Sequence, residues 1–138
     1  MSLRFAGYAA VFDRPDQGGD VIRAGAFKRS LERSAGQGRD VPLLWQHERG
    51  HVIGRIETLA EDARGLRVIA RLDDAKLAAG LESGTLGGLS FGYRVRDGRQ
   101  GKRALRELID VDLVEVSLVP IPMQPLARVH AVADNQTR

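Results

Sequence analysis

Ser90 stands between two glycines in the run Gly88-Leu89-Ser90-Phe91-Gly92. On a strand, side chains alternate between two faces, so Leu89, Phe91, Tyr93 and Val95 share an apolar side while Gly88, Ser90 and Gly92 share a nearly bare one. Glycine weakens a strand interior but lets another backbone come close. A hydroxyl flanked by Gly88 and Gly92 therefore suits a place where an extended peptide lies against a serine, the two glycines lining its path. The same residues also fit a bulge or a strand crossing beside an ordinary serine. A serine is a weak nucleophile near neutral pH and needs a hydrogen-bonded base. His47 ends the row Val41, Leu43, Trp45, and an imidazole suits that task. Glu115 interrupts the apolar row Ile109, Val111, Leu113, Ser117, Val119, where a lone carboxylate is costly unless a cation or donor meets it. Beside His47 it would fix the tautomer and stabilise the imidazolium. Plainer roles remain open, with His47 as a core histidine and Glu115 as the partner of an arginine.

Two other strings compete. Gly88 to Gly92 matches G-x-S-x-G, the nucleophile elbow of hydrolases built on a parallel sheet. That elbow needs a helix straight after the serine and a histidine downstream. Here Tyr93-Arg94-Val95 and a glycine turn follow, and the only later histidine is His130. His47-Glu48-Arg49-Gly50-His51 spells H-E-x-x-H, in which two histidines on one helical face hold zinc. Gly50 costs a helix interior about 1 kcal/mol, Pro42 lies upstream, and Val52-Ile53-Gly54 has strand character. A zinc hydrolase using His47 and His51 is thus the lesser alternative.

The elements that would carry these residues follow from local pattern. Leu3 to Phe12 is strand-compatible, Asp13 to Gly19 is a turn, and Ala24 to Ser34 is a short amphipathic helix stopped at Gly36. Val41 to His47 forms a strand with Pro42 near its start. His51 to Leu59 and Leu66 to Leu72 form a hairpin. Asp73 or Asp74 caps a second helix carrying Leu77 and Leu81 and ending at Gly84. The serine strand runs from Gly84 to Val95, the loop Arg96 to Lys102 follows, and a further strand begins near Arg103. Ile109 to Val119 is the last strong strand, ended by Pro120, Pro122 and Pro125. These six to seven strands with two helices predict a mainly β fold with some α, an antiparallel β-barrel with short helices outside. Residues 1–132 make one domain, and 133–138 a loose tail.

At 138 residues, 43% of them hydrophobic, the chain fits one domain with one core. It contains no cysteine, which excludes a disulfide scaffold, a thiol nucleophile and any cysteine-ligated metal. The net charge of +3 comes from 21 basic residues interleaved with 18 acidic ones, the pattern of a solvated surface and not of a nucleic-acid binder. No apolar run approaches a membrane span and no leader pattern opens the chain, so residence in a cytoplasm is the default.

Taken together, the runs GYAAVFD at 7–13, GDVIRAGAF at 19–27, VPLLWQHE at 41–48, IGR at 53–55, EDARGL at 61–66, GGLSFGY at 87–93 and DLVEVSLVPIP at 112–122 resemble the capsid maturation (prohead) proteases of tailed phages and gene transfer particles, distant relatives of the herpesvirus assemblins. The resemblance extends from about Gly7 to Val129. It implies a serine endopeptidase, needing no cofactor, that trims a major capsid protein or scaffold precursor inside an assembling procapsid in the bacterial host cytoplasm. The family's histidine falls on His47 and its serine on Ser90. Assemblins use a second histidine as third member; this chain offers an acid in the late strand, Glu115 first and Asp112 second. Where relatives commonly read Pro-Ala-Asn, this chain has Pro122-Met123-Gln124-Pro125. Self-association into a homodimer or larger homo-oligomer, and self-cleavage, are the behaviour that assemblin kinship leads one to expect.

Overall fold

The computed structural model describes residues 3–101 and 105–134. Eight strands and two helices follow one another: β1 (Leu3–Val11), β2 (Asp20–Ile22), α1 (Lys28–Gly36), β3 (Leu43–Trp45), β4 (Val52–Glu61), β5 (Gly65–Leu72), α2 (Ala75–Ser83), β6 (Gly88–Gln100), β7 (Arg106–Val119) and β8 (Val129–Asp134). The strands form one sheet in the order β2-β7-β3-β4-β5-β1-β8, with β6 added to β7. The fold is therefore mainly β with two short helices.

β7 is the strand on which the others converge. β6 runs antiparallel along its whole length, from Gly88 opposite Val119 to Gln100 opposite Arg106. The other edge of β7 takes β2 at its start and β3 at its end, both parallel. Between them, β7's backbone donors would be orphaned, which is costly in a buried strand. The α1 segment meets them: Val111 N–H donates to Ala26 O, and Leu113 N–H donates to the buried Ser30 hydroxyl. Phe27, Leu43, Leu89, Leu108, Val116 and Leu118 are fully buried around this crossing, and removing their apolar area from water stabilises it.

Sequence pattern and structure part at several elements, each for a local reason. The barrel does not close: among the described residues no ladder joins β6 to β8. Their edges meet only through a Gly88–Arg128 bridge and the bonds Leu89 N–H to Ala127 O and Val129 N–H to Gly87 O. The strands number eight, and the two pairings to β7 are parallel. α1 starts at Lys28 and not Ala24, because Gly25 has φ +92°, outside the helical region. The strand expected over Val41–His47 shrinks to Leu43–Trp45, since Gln46 and His47 have φ +49° and +63°. Gly84 caps α2 with φ +82°, so the serine strand begins at Gly88. The expected loop from Arg96 is largely strand: β6 continues to Gln100, with bulges around Asp97. Arg103 lies outside the described residues, and the late strand runs unbroken from Arg106 to Val119. Of the expected tail, Ala133 and Asp134 pair with Arg4 and Leu3; residues 135–138 lie outside the described residues.

Candidate active site

The β6–β7 register puts Ser90 opposite Ser117 and Gly92 opposite Glu115. Directly opposed residues of an antiparallel pair share a face, so these four positions line one side of the hairpin. β3 arrives on the far edge of β7, with Leu44 beside Ser117 and Trp45 beside Leu118. The chain then turns sharply: Gln46 N–H still donates to Leu118 O, and Glu48 N–H closes onto Trp45 O. His47 projects from this turn, in a left-handed conformation uncommon outside glycine. The site's histidine therefore comes from a turn held against β7 and not from a strand.

Three bonds hold His47, Glu115 and Ser117 together. His47 N–H donates to Ser117 Oγ at 3.0 Å, the His47 ring nitrogen Nδ1 lies 2.5 Å from Glu115 Oε1, and Ser117 Oγ–H donates to Glu115 Oε2 at 2.5 Å. Glu115 is buried, 5% exposed, and Ser117 wholly so. An ionised carboxylate can only accept, so Nδ1 carries the hydrogen in that bond and Nε2 is left as the basic nitrogen. His47 and Ser90 line the same two cavities, of about 390 and 240 Å³. No hydrogen bond joins the two among the described residues. Ser117 had been visible in the sequence only as one member of an apolar row; its bridging role depends on the parallel docking of β3, which leaves no local signal.

The two glycines make room for neighbouring atoms of this chain. A Cβ at position 92 would lie 2.2 Å from Glu115 Oε1, and one at position 88 would lie 2.6 Å from Val119 O and 2.8 Å from Pro122 Cδ. The space that a side chain would take at both positions is filled by this chain's own atoms. The open volume lies around Ser90 instead. Asp112, the second choice for the acid, lies opposite Arg94 in the register and is engaged elsewhere, paired with Arg33 at 2.5 Å and Arg96 at 2.9 Å. Bonds from Arg96 and then Arg33 hold its carboxyl below the usual range. His47 to His51 is a turn and not a helix, with His51 Nδ1 4.0 Å from Glu48. The shared helical face that H-E-x-x-H requires is absent, and among the described residues no three His, Asp or Glu side chains converge to hold a metal. Ser90 is inside a strand, so the nucleophile-elbow match has no following helix either.

Two further clusters had no signal in the sequence. Asp20, on β2, accepts two bonds from the Arg106 guanidinium at 2.9 Å each and one from the Tyr93 hydroxyl at 3.1 Å. The Arg106 bond outweighs burial and holds the Asp20 carboxyl below its ordinary range. Burial, then the negative charge of Asp20, raises the Tyr93 phenol. The loop after β7 is clamped by the buried Gln124, which accepts from Val11 N–H at 2.6 Å and donates to Val11 O at 2.7 Å and Arg14 O at 3.0 Å. The departure at Pro122-Met123-Gln124-Pro125 thus comes with its own anchor.

Comparison with known proteins bears on this arrangement. Residues 1–138 match the family described as caudovirus prohead serine protease. Over 97 residues the chain is 39% identical to the prohead protease of Enterobacteria phage HK97, covering 66% of this chain and 42% of that protein. The chain thus spans less than half the length of this relative. Among solved structures, the bacteriophage T4 capsid assembly protease is similar with a TM-score of 0.69 at 11% identity, covering 84% of this chain and 80% of that one. The KSHV protease, solved with a hexapeptide phosphonate inhibitor, gives a TM-score of 0.58 at 12% identity, covering 98% and 66%. At such identities these two likenesses speak for the fold alone. With the family match running over all 138 residues, the chain belongs to the caudovirus prohead serine protease family.

Proposed function

We propose that this chain is a serine endopeptidase that trims capsid-protein or scaffold extensions inside an assembling procapsid, in the cytoplasm of a bacterial host. Ser90 is the nucleophile, His47 the general base and Glu115 the acid that orients it. The observation that carries this reading is the 2.5 Å bond from His47 Nδ1 to the buried Glu115, with the same histidine facing the cavities that Ser90 lines. His47 Nε2 takes the Ser90 proton as Oγ attacks a peptide carbonyl carbon. Backbone amides near the loop after β7 hold the developing oxyanion. The carbon–nitrogen bond then breaks, and the imidazolium gives its proton to the departing amine. A water, deprotonated by the same nitrogen, attacks the ester and releases Ser90 with its proton restored. Glu115 stays ionised throughout and stabilises the imidazolium.

Replacing Ser90 with alanine tests this directly. Processing of a co-expressed capsid precursor should cease while the melting temperature stays near that of the parent; continued processing would rule Ser90 out. A non-catalytic binding barrel is the second reading, favoured by the lack of a His47–Ser90 hydrogen bond among the described residues. Catalytic bonds are often loose without substrate and tighten in the complex. A serine-directed phosphonate separates the two readings, since only an activated Ser90 becomes covalently labelled.

A further inference from the structure

Two cavities meet at Ser90, and their walls differ in chemistry. They share only His47, Ser90 and Met123 among the residues that line them. The one of about 390 Å³ is walled by Val119, Pro120, Ile121 and Met123 and has no acidic, Lys or Arg side chain. Ile121 is 80% exposed and Met123 52%. Large apolar side chains left bare beside a reactive hydroxyl point to contact with another molecule. They are held in place, because Gln17 N–H donates to Met123 O and Gln124 clamps the same loop to β1. The cavity of about 240 Å³ is lined by Asp16, Asp20 and Tyr93 and by no Lys or Arg. Asp20 is already paired with Arg106. Asp16 is not: its Oδ1 accepts from Gly18 N–H at 2.8 Å and Asp20 N–H at 2.9 Å, and no cation pairs with it among the described residues. Those amide bonds fix the carboxylate without neutralising it. Its charge reaches the cavity wall, where it joins burial and Asp20 in raising the Tyr93 phenol.

We infer that the substrate presents a cationic side chain on one side of the scissile bond, paired with Asp16, and an apolar side chain on the other, seated against Ile121 and Met123. This rests on the peptidase reading above and adds its specificity. A substrate anion in the smaller cavity would face the Asp16 carboxylate, which no cation offsets among the described residues, and juxtaposed like charges select against a partner. The larger cavity also has Gln17 and Gln46 in its lining but no Lys, Arg, Asp or Glu, so a charged side chain would be desolvated there without an ion-pair partner.

The test is a pool of peptides randomised at every position, digested with the intact chain and with single variants, the products read by mass spectrometry. Lysine or arginine should exceed norleucine on one side of the cut by on the order of tenfold, with glutamate disfavoured further. Isoleucine, leucine or methionine should exceed alanine on the other side by at least about tenfold. Asp16→Asn keeps the oxygen that accepts the Gly18 and Asp20 amides and removes the charge, so the preference for lysine over norleucine should vanish. Asp16→Lys should turn the preference toward glutamate, and Ile121→Ser should flatten the apolar preference alone. Cleavage without these preferences, or an undiminished lysine preference in Asp16→Asn, overturns the inference and leaves the peptidase reading standing. No cleavage of any peptide together with no phosphonate label on Ser90 sinks the peptidase reading itself and this inference with it.

Discussion

An alanine at position 92 would put its Cβ 2.2 Å from Glu115 Oε1. That carboxylate cannot swing aside cheaply, because His47 and Ser117 each hold one of its oxygens. Gly92→Ala should therefore cost stability by about 1–3 kcal/mol through overpacking and lower kcat by on the order of 10²–10⁴-fold as the base loses its orientation. Peptide cleavage and a thermal melt on one preparation check both halves, and a fully active alanine variant would contradict the arrangement. Ser117→Ala strips a buried hydroxyl that satisfies His47 N–H and Glu115 together. Leaving such groups unpaired costs about 1–3 kcal/mol, which a shift in the denaturation midpoint would show. Ser90, His47 and Glu115 were legible because each breaks a local rule: a bare strand face, a histidine ending an apolar row, a carboxylate inside another. Ser117 breaks none, so a buried serine among valines and leucines passed as packing. The two glycines stood out as well, but that Glu115 fills the space at Gly92 shows only in the pairing register.

α2 is the element whose pattern spoke most plainly. Asp74 accepts from Leu77 N–H at 3.0 Å and Gly84 closes the helix in the left-handed region, as their residue types imply. Asp74→Ala should destabilise by about 0.5–2 kcal/mol and leave peptide cleavage unaltered, because α2 lies on β5 and not beside Ser90. A circular-dichroism melt alongside a cleavage assay would show whether the two effects separate. The β4–β5 hairpin was equally plain from its alternation and polar turn. α1 was harder. Its entry is held from a distant strand, with Glu61 accepting from Gly25 N–H and Phe27 N–H at 2.8 Å each, so no local residue marks where the helix begins. The glycines in Arg96 to Gly101 suggested a loop because glycine is depleted in strands; β6 tolerates them by bulging around Asp97 while staying paired to β7. Parallel pairing of β2 and β3 with β7 leaves no mark in the sequence, as the partners are far apart in the chain.

Charge ties distant parts of the whole molecule together, and acid should loosen it in a defined direction. Arg106 joins β7 to Asp20 on β2, and the Asp20 side chain is only 12% exposed. Its folded pKa is lowered, so the stability it adds is complete above the unfolded value, about 3.9, and is lost as pH falls through the lower folded value. Asp62, Glu57 and Asp112 are shifted the same way, but water screens these more open pairs. The melting temperature should hold from neutrality to about pH 5 and fall below about pH 4. Asp20→Asn should melt lower at neutral pH and lose less on acidification; identical acid profiles for parent and variant would assign the loss elsewhere. The mainly β class and the single core were legible in composition and alternation, whereas the open seam between β6 and β8 depends on one bridge that no periodicity reports. β7 lies between β3 and β6, which has a bearing on the order of biosynthesis. The ribosome delivers the imidazole first, the hydroxyl next and the carboxylate last, and until residues 106–119 have left the exit tunnel nothing spans the gap between the first two. If the three act as proposed, hydrolytic competence arrives late, with the insertion of a single strand.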